Sequence, residues 1–208
     1  MPEKSFRKEK LKLLIATENL GKFSEFKNFF SDLALDLLSF KNFPHLPKVS
    51  EPYLSFSENA RHKAVFVHKQ TGLMTLADDS GLEVDALKGE PGVFSARFAG
   101  ENASDEENNH KLLKLLEGLP FEKRTARFKC VLALAKAEQE IILVEGVAEG
   151  IILFEPKGDK GFGYDPVFYQ SSLKKSFGEM EPEEKLSVSH RGDALRKIYP
   201  FIKELMPD

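Results

Sequence analysis

Leu73-Met74-Thr75-Leu76-Ala77-Asp78-Asp79-Ser80-Gly81 places two adjacent carboxylates directly behind a short apolar run. The run has the length and character of a buried strand, and Gly81 lets the chain turn sharply after it. The strand is therefore expected to stop at Ala77, leaving both acids at an edge where solvent, metal and substrate can meet. Successive side chains of a strand point to opposite faces, so Asp78 and Asp79 cannot easily grip one ion together. One of them is expected to be the ligand or base, and loss of Asp78 to be the milder if its side chain faces away. The same residues also fit a plain turn whose short polar side chains bond their own backbone.

Upstream, the strand pattern Lys10 to Ala16 runs into Thr17-Glu18-Asn19-Leu20-Gly21-Lys22, and Phe23, Phe26, Phe29 and Phe30 follow at helical spacing. Strand, polar turn and helix start is an arrangement whose free backbone N–H groups and dipole attract phosphate. Lys22 adds a mobile charge, Thr17 and Asn19 further donors. The two-glycine frame of a Walker A loop is absent, and Thr17 or Asn19 also reads as a simple N-cap.

Further along come a strand at 35–40, a proline-containing loop, a capping box at Ser55–Glu58 before a helix over 57–70, and a strand at 82–87. A second capping box at Ser104–Glu107 opens a helix carrying Leu112, Leu113, Leu115 and Leu116. Two long β segments, 125–136 and 141–154, are expected to pair antiparallel through a turn near Gln139. An irregular acidic stretch precedes a last helix from about Gly192, which Pro200 is expected to kink or end.

Two glycine-bearing stretches carry further chemistry. In Gly161-Phe162-Gly163-Tyr164-Asp165-Pro166 the glycines permit unusual dihedrals around an aromatic face on which a flat base could stack, with Asp165 as an acceptor beside it. A tight connection with Phe162 as anchor is the plainer reading. In Lys185-Leu186-Ser187-Val188-Ser189-His190-Arg191-Gly192, Lys185, His190 and Arg191 gather donors suited to carbonyl or phosphate oxygens. Solvated surface charges and a capping Ser189 fit that stretch too.

With 208 residues, one domain of two lobes over 10–208 is expected, behind a polar N-terminal extension at 1–9 that holds Lys4, Arg7 and Lys8. A hydrophobic content of 41% and the lack of a long apolar run argue against a membrane protein, and the polar N-terminus against a signal peptide. Cys130 is the only cysteine, which excludes an internal disulfide and suits a buried thiol and a cytoplasmic location. A net charge of -3 argues against general nucleic-acid binding.

Together the stretches resemble the inosine triphosphate pyrophosphatase family, in its bacterial branch, from about Leu13 to Leu195. The matching motifs are Ala16 to Lys22, Phe56-Ser57-Glu58-Asn59-Ala60 with Lys63, Ala77 to Leu82, Pro91-Gly92-Val93-Phe94-Ser95-Ala96-Arg97-Phe98, Gly161 to Pro166 and Ser189 to Gly192. The resemblance implies an elongated α/β fold of two lobes around a mixed sheet, an active site in the cleft between them, and a homodimer. It implies hydrolysis of noncanonical purine nucleoside triphosphates (ITP, dITP, XTP) to the monophosphate and pyrophosphate, with Mg²⁺. Thr17, Asn19 and Lys22, within the loop that also holds Glu18, Leu20 and Gly21, would hold the triphosphate, helped by Lys63 and Arg97. Glu51 and Asp79 would bind metal, Asp79 would be the general base, and Ser80 would lie against the substrate. Phe162, Gly163, Tyr164, Asp165, Lys185, His190 and Arg191 would build the base pocket.

The chain departs from the family pattern at Tyr53, where a glycine is common, and at Asp193, where a basic or small residue is. A Maf-like pyrophosphatase and a sensor that binds without cleaving are the competing expectations. The Ser-His-Arg-Gly and Gly-Phe-Gly-Tyr-Asp motifs weigh against the first, and retention of Glu51, Asp79 and Lys22 against the second.

Overall fold

The computed structural model describes residues 10–137 and 140–206. The extension expected at 1–9 and the turn expected near Gln139 lie outside the described residues. The chain runs β1 (Leu11–Ala16), α1 (Leu20–Phe29), β2 (Leu35–Leu38), α2 (Phe56–Thr71), β3 (Thr75–Val84), α3 (Asp105–Leu115), β4 (Thr125–Ala137) and β5 (Glu140–Ile152). It closes with β6 (Phe168–Gln170), β7 (Lys175–Ser176), α4 (Pro182–Val188) and α5 (His190–Glu204). The strands form one open mixed sheet in the order β2-β1-β3-β4-β5-β6-β7. β1 is parallel to β2 and β3, and every later pairing is antiparallel, including the expected β4–β5 pair.

Alternation along the central strands divides the core by face. Leu14, Ala16, Ala77, Val131 and Ala133 face Phe56, Ala60, Ala64 and Val67 of α2. Leu13, Ile15, Leu76, Leu132 and Leu134 face Phe26 of α1 and Leu195, Ile198 and Ile202 of α5. Farther along the same long strands a separate cluster forms from Leu82, Val84, Phe128, Phe168 and Phe177 with Leu112 of α3. The first two clusters cover opposite faces of one part of the sheet and the third fills the other part, and β3, β4 and β5 run through both parts.

β3 departs from the expected strand-and-turn. It continues through both acids to Val84, because β4 supplies an unbroken ladder that pairs Asp78 with Leu132, Asp79 with Val131 and Gly81 with Lys129. The strand expected at 82–87 is the end of β3 only as far as Val84, and Asp85–Leu87 turn away as a 3-10 helix. The edge character inferred for the acids has a different origin. β1 pairs with β3 only as far as Ala16 opposite Ala77, so at Asp78 the neighbour on that side becomes the loop after β1. In open α/β sheets ligands bind at such carboxyl ends.

Gly81 serves close approach rather than a turn. A Cβ there would collide with the Gly92 carbonyl and the Ser95 hydroxyl, which itself accepts from Leu82 N at 2.9 Å. Gly81→Ala is expected to cost about 1–3 kcal/mol of stability through overpacking, measurable as a lower midpoint in denaturant with an unchanged slope.

Two further expectations are corrected near the C-terminus. The acidic stretch folds as α4, with Pro182 in its first turn, and α5 starts at His190. α5 also passes Pro200 and ends at Glu204, since Ile198 and Ile202 on either side of the proline are both buried against the sheet.

Candidate active site

The loop after β1 is organised by its own side chains. Asn19 is the N-cap of α1 and accepts from Lys22 N at 2.9 Å, while Thr17 Oγ1 accepts from Asn19 N at 3.2 Å. Glu18 and Leu20 are exposed. Lys22 reaches back over the sheet and pairs with Asp78. Gly21 is where the glycine-rich loop touches this segment, because a Cβ would strike the Phe162 ring at 2.5 Å.

Asp78 and Asp79 point to opposite faces, as the alternation requires. Asp78 lies on the α1 and α5 face with its side chain fully buried. Its Oδ1 accepts from Lys22 and from Ser80 Oγ at 3.1 Å, and its Oδ2 from Arg191 Nε at 2.9 Å and Cys130 Sγ at 3.1 Å. Burial alone would raise this carboxyl, but Arg191, then Lys22, hold it well below the usual range. It therefore faces a cluster of donors, and the condition under which its loss would be mild is not met.

Asp79 lies on the α2 face. Among the described residues its Oδ2 is buried without a hydrogen-bond partner. Burial and the nearby Glu51 charge push its pKa up to about 6, against the opposing pull of Lys63. Lys63 pairs with Glu51 and donates to the Asp78 carbonyl at 2.9 Å. The Glu51 loop is pinned despite Tyr53: Tyr53 N donates to Asn59 Oδ1 and Asn59 Nδ2 to Tyr53 O, each at 3.0 Å. The Tyr53 ring also packs edge-on against His62.

At the other end, Arg191 donates through Nη1 to Glu25 at 2.5 Å and through Nη2 to Ser80 Oγ at 2.8 Å. Lys185 donates to Glu25 at 2.8 Å and to Asp165 at 2.6 Å, and Asp165 in turn accepts from Phe162 N at 2.8 Å. Lys185 Nζ sits 4.5 Å from the centre of the Phe162 ring. An alternating chain of charges thus runs from Lys22 through Asp78, Arg191, Glu25 and Lys185 to Asp165. Burying charge is costly unless each ion is paired, and here every inner member has a partner on both sides.

His190, expected as a donor in the base pocket, is stacked away inside the protein. It is buried, its ring stacks on Phe128 at 4.6 Å, and burial followed by Arg191 holds its pKa well below the ordinary value, so it is neutral. Its Nδ1 has no partner among the described residues. Tyr164 is an anchor, donating to Ser95 O at 2.9 Å, and burial raises its pKa. Gly163 is tied to α3, its N donating to Asp105 at 2.6 Å and its carbonyl accepting from Asn109 at 2.9 Å. Arg97 is not drawn into the charge chain. Its Nε lies 3.8 Å from Glu101 and its guanidinium over Phe94. Asp193 accepts from Val147 N at 3.2 Å and Lys197 at 2.8 Å, tying the start of α5 to β5.

Glu25 and Cys130 enter the site without having been singled out from sequence. Glu25 was legible: it stands three residues after Lys22 on α1, hence on the same helical face. Cys130 follows only from the β3–β4 register, which sets it opposite Ser80.

Among the described residues no cluster of three or more His, Cys, Asp or Glu is placed to hold a metal. Glu51 and Asp79 nevertheless suit Mg²⁺, which needs only one or two carboxylates when phosphate oxygens and water complete its shell. The unpartnered Asp79 oxygen and the repulsion between these two acids are what such a cation relieves.

The chain belongs to the Ham1 family, whose pattern it matches over residues 13–201, in agreement with the resemblance drawn from the motifs. It is 49% identical over 195 residues to a dITP/XTP pyrophosphatase of Desulforamulus reducens, covering 94% of this chain and 97% of the relative. A dITP/XTP pyrophosphatase of Thermoanaerobacter pseudethanolicus is 49% identical over 192 residues, covering 92% and 96%. The structure of a HAM1 protein from Coxiella burnetii superposes with a TM-score of 0.85 at 42% identity, over 93% of this chain and 99% of that one.

Proposed function

We propose that this chain hydrolyses noncanonical purine nucleoside triphosphates, ITP, dITP and XTP, to the monophosphate and pyrophosphate, and so clears them from the nucleotide pool. The observation that carries this reading is the split of the acidic pair. Asp79 has an unpartnered oxygen and feels the charges of Glu51 and Lys63, while Asp78 belongs to the charge chain that ends at the glycine-rich loop. Relatives named dITP/XTP pyrophosphatase support it.

Glu51 and Asp79 would hold Mg²⁺, which neutralises charge on a triphosphate when bound. The first-turn N–H groups of α1 and Lys22 bind phosphate oxygens, Lys22 keeping one donor on Asp78 and offering its others to the ligand. Lys63 and Arg97 assist at this end. Asp79 orients the attacking water and takes its proton, a task suited to a carboxylate whose pKa is raised toward neutrality. Phe162 stacks on the base, and Arg191 and Lys185 donate to the 6-keto oxygen. Adenine presents an amino donor at that position and leaves the protein donors unpaired, the kind of mismatch that separates substrates strongly. Ser80 orients Arg191, and Asp165 orients Lys185. The family resemblance further supports a homodimer and a cytoplasmic location. Among the described residues no helix is long and apolar enough to cross a membrane.

A panel of ITP, dITP, XTP, GTP and ATP with Mg²⁺, scored for monophosphate and pyrophosphate, tests the reading. Orthophosphate as the product, or equal rates with ATP and ITP, overturns it.

Lys22→Ala is expected to lower kcat/KM by about 10–100-fold for every base alike, the size of a lost charge-assisted contact. Asp78 still holds Arg191 in that variant, so the ITP:ATP ratio stays within about twofold of the unaltered enzyme. A changed ratio would place Lys22 in the base pocket instead.

A further inference from the structure

Asp78 has no surface to offer a substrate, since its side chain is fully buried. An ionised carboxylate has roughly four acceptor positions. Lys22, Ser80, Arg191 and Cys130 occupy them, two donors to each oxygen. So saturated a carboxylate cannot rotate without breaking several bonds at once.

The guanidinium of Arg191 depends on it twice. Nε donates directly to Asp78 Oδ2, and Nη2 donates to a Ser80 hydroxyl whose own proton is directed to Asp78 Oδ1. Only the Nη1 contact to Glu25 is independent of Asp78. On the other side the same carboxylate fixes Lys22 at the start of α1. We propose that Asp78 is a positioning residue that sets Lys22 and Arg191 together, so that base selectivity is governed by a carboxylate that never meets the base.

This inference rests on the reading of Arg191 as the donor to the base and Lys22 as the phosphate contact. An amide at position 78 keeps the shape but removes the charge and turns an N–H toward one of its present donors. Asp78→Asn therefore breaks one of the two routes by which Asp78 holds the guanidinium and weakens the other by loss of charge, and both ends of the cleft suffer.

The test is a set of double-mutant cycles read as the ITP:ATP ratio of kcat/KM, in which the folded fraction of each preparation cancels. Asp78→Asn is expected to lower the ratio at least about tenfold, the loss typical of a hydrogen bond to a charged group. It should do the same in a Lys22→Ala background and nothing further in an Arg191→Ala background. A merely structural role lowers both rates and preserves the ratio, so an unchanged ratio in Asp78→Asn overturns the proposal. A further fall on adding Asp78→Asn to Arg191→Ala overturns it as well. If Arg191→Ala alone leaves the ratio intact, the base-site reading fails and takes this role with it. That outcome is distinct from an Arg191→Ala effect with no Asp78→Asn effect, which removes the Asp78 role alone. Should Asp78→Asn not fold, Cys130→Ala is expected to lower the ratio about threefold by releasing one donor from Oδ2, and Cys130→Ser to restore it. Equal ratios in both cysteine variants and the unaltered enzyme would again overturn it.

Discussion

Asp79→Asn is expected to abolish turnover and, in metal-free buffer at pH 8, to leave the protein at least as stable as the unaltered chain. The two effects have one cause. Asp79 is buried against α2 with an oxygen that no described residue satisfies, and burial together with Glu51 raises its pKa from 3.8 to about 6. A pKa raised on folding means that the folded protein binds the proton more tightly than the unfolded chain. This group therefore favours folding most below about pH 4, and that contribution is lost as pH rises through 6. Above that it is a standing cost of about 3 kcal/mol, at ~1.4 kcal/mol for each pH unit of the difference. An amide cannot ionise, so the variant escapes the cost at pH 8 and gains nothing at pH 4. Thermal melts of both proteins with chelator across that range should show a stability difference growing with pH. On the activity side, an enzyme whose base is Asp79 gains rate with pH on an acid limb at or below about 6, because a bound cation favours the carboxylate. Near-normal turnover in Asp79→Asn would remove the residue from its proposed role. A stability difference that is flat with pH would show instead that burial does not perturb it.

The parts of this molecule that could be anticipated are those in which local pattern and tertiary need coincide. The capping-box patterns at Ser55 and Ser104 specified helix starts, and both serines cap their helices, the reciprocal box forming at Ser104 while Glu58 accepts instead from the Ser55 hydroxyl. The β4–β5 pair followed from two long apolar segments. Failure came at Asp78-Asp79-Ser80-Gly81, where turn-prone residues stay in a strand because β4 pairs with them throughout. Propensity gave way there to a partner more than forty residues distant in sequence. The charge chain shows the same limit. Lys22, Lys185 and Arg191 were visible as cations, but only the fold places Asp78 and Glu25 each between two of them and Asp165 at the end of the row. That His190 is buried was hidden for a related reason: the sequence carries no sign that its ring lies flat on Phe128.

Arg191→Ala is expected to collapse the preference for 6-keto purines. The guanidinium is 1% exposed and held by Asp78, Glu25 and Ser80, so its remaining N–H groups are presented in a fixed direction beside the Phe162 ring, 5.7 Å away. Such a preorganised donor reads an acceptor well and an amino group poorly, and its loss should cost about 1–3 kcal/mol with ITP or XTP and far less with ATP. Removing it also leaves Asp78 and Glu25 short of a partner inside the protein. Stability should accordingly fall, by about 3–5 kcal/mol if the chain does not relax. The ratio of kcat/KM values within one preparation is immune to that loss. Phe162→Ala supplies the contrast. Stacking is largely indifferent to ring substituents, so all four purine triphosphates should weaken together, by about 1–3 kcal/mol for a lost base–aromatic contact. Both variants assayed with ITP, XTP, GTP and ATP should therefore separate selectivity from affinity. Arg191→Ala with unchanged ratios across the four substrates, or Phe162→Ala with a selective loss of one base, would break the division of labour between donor and stacking ring on which the base end of this cleft is built.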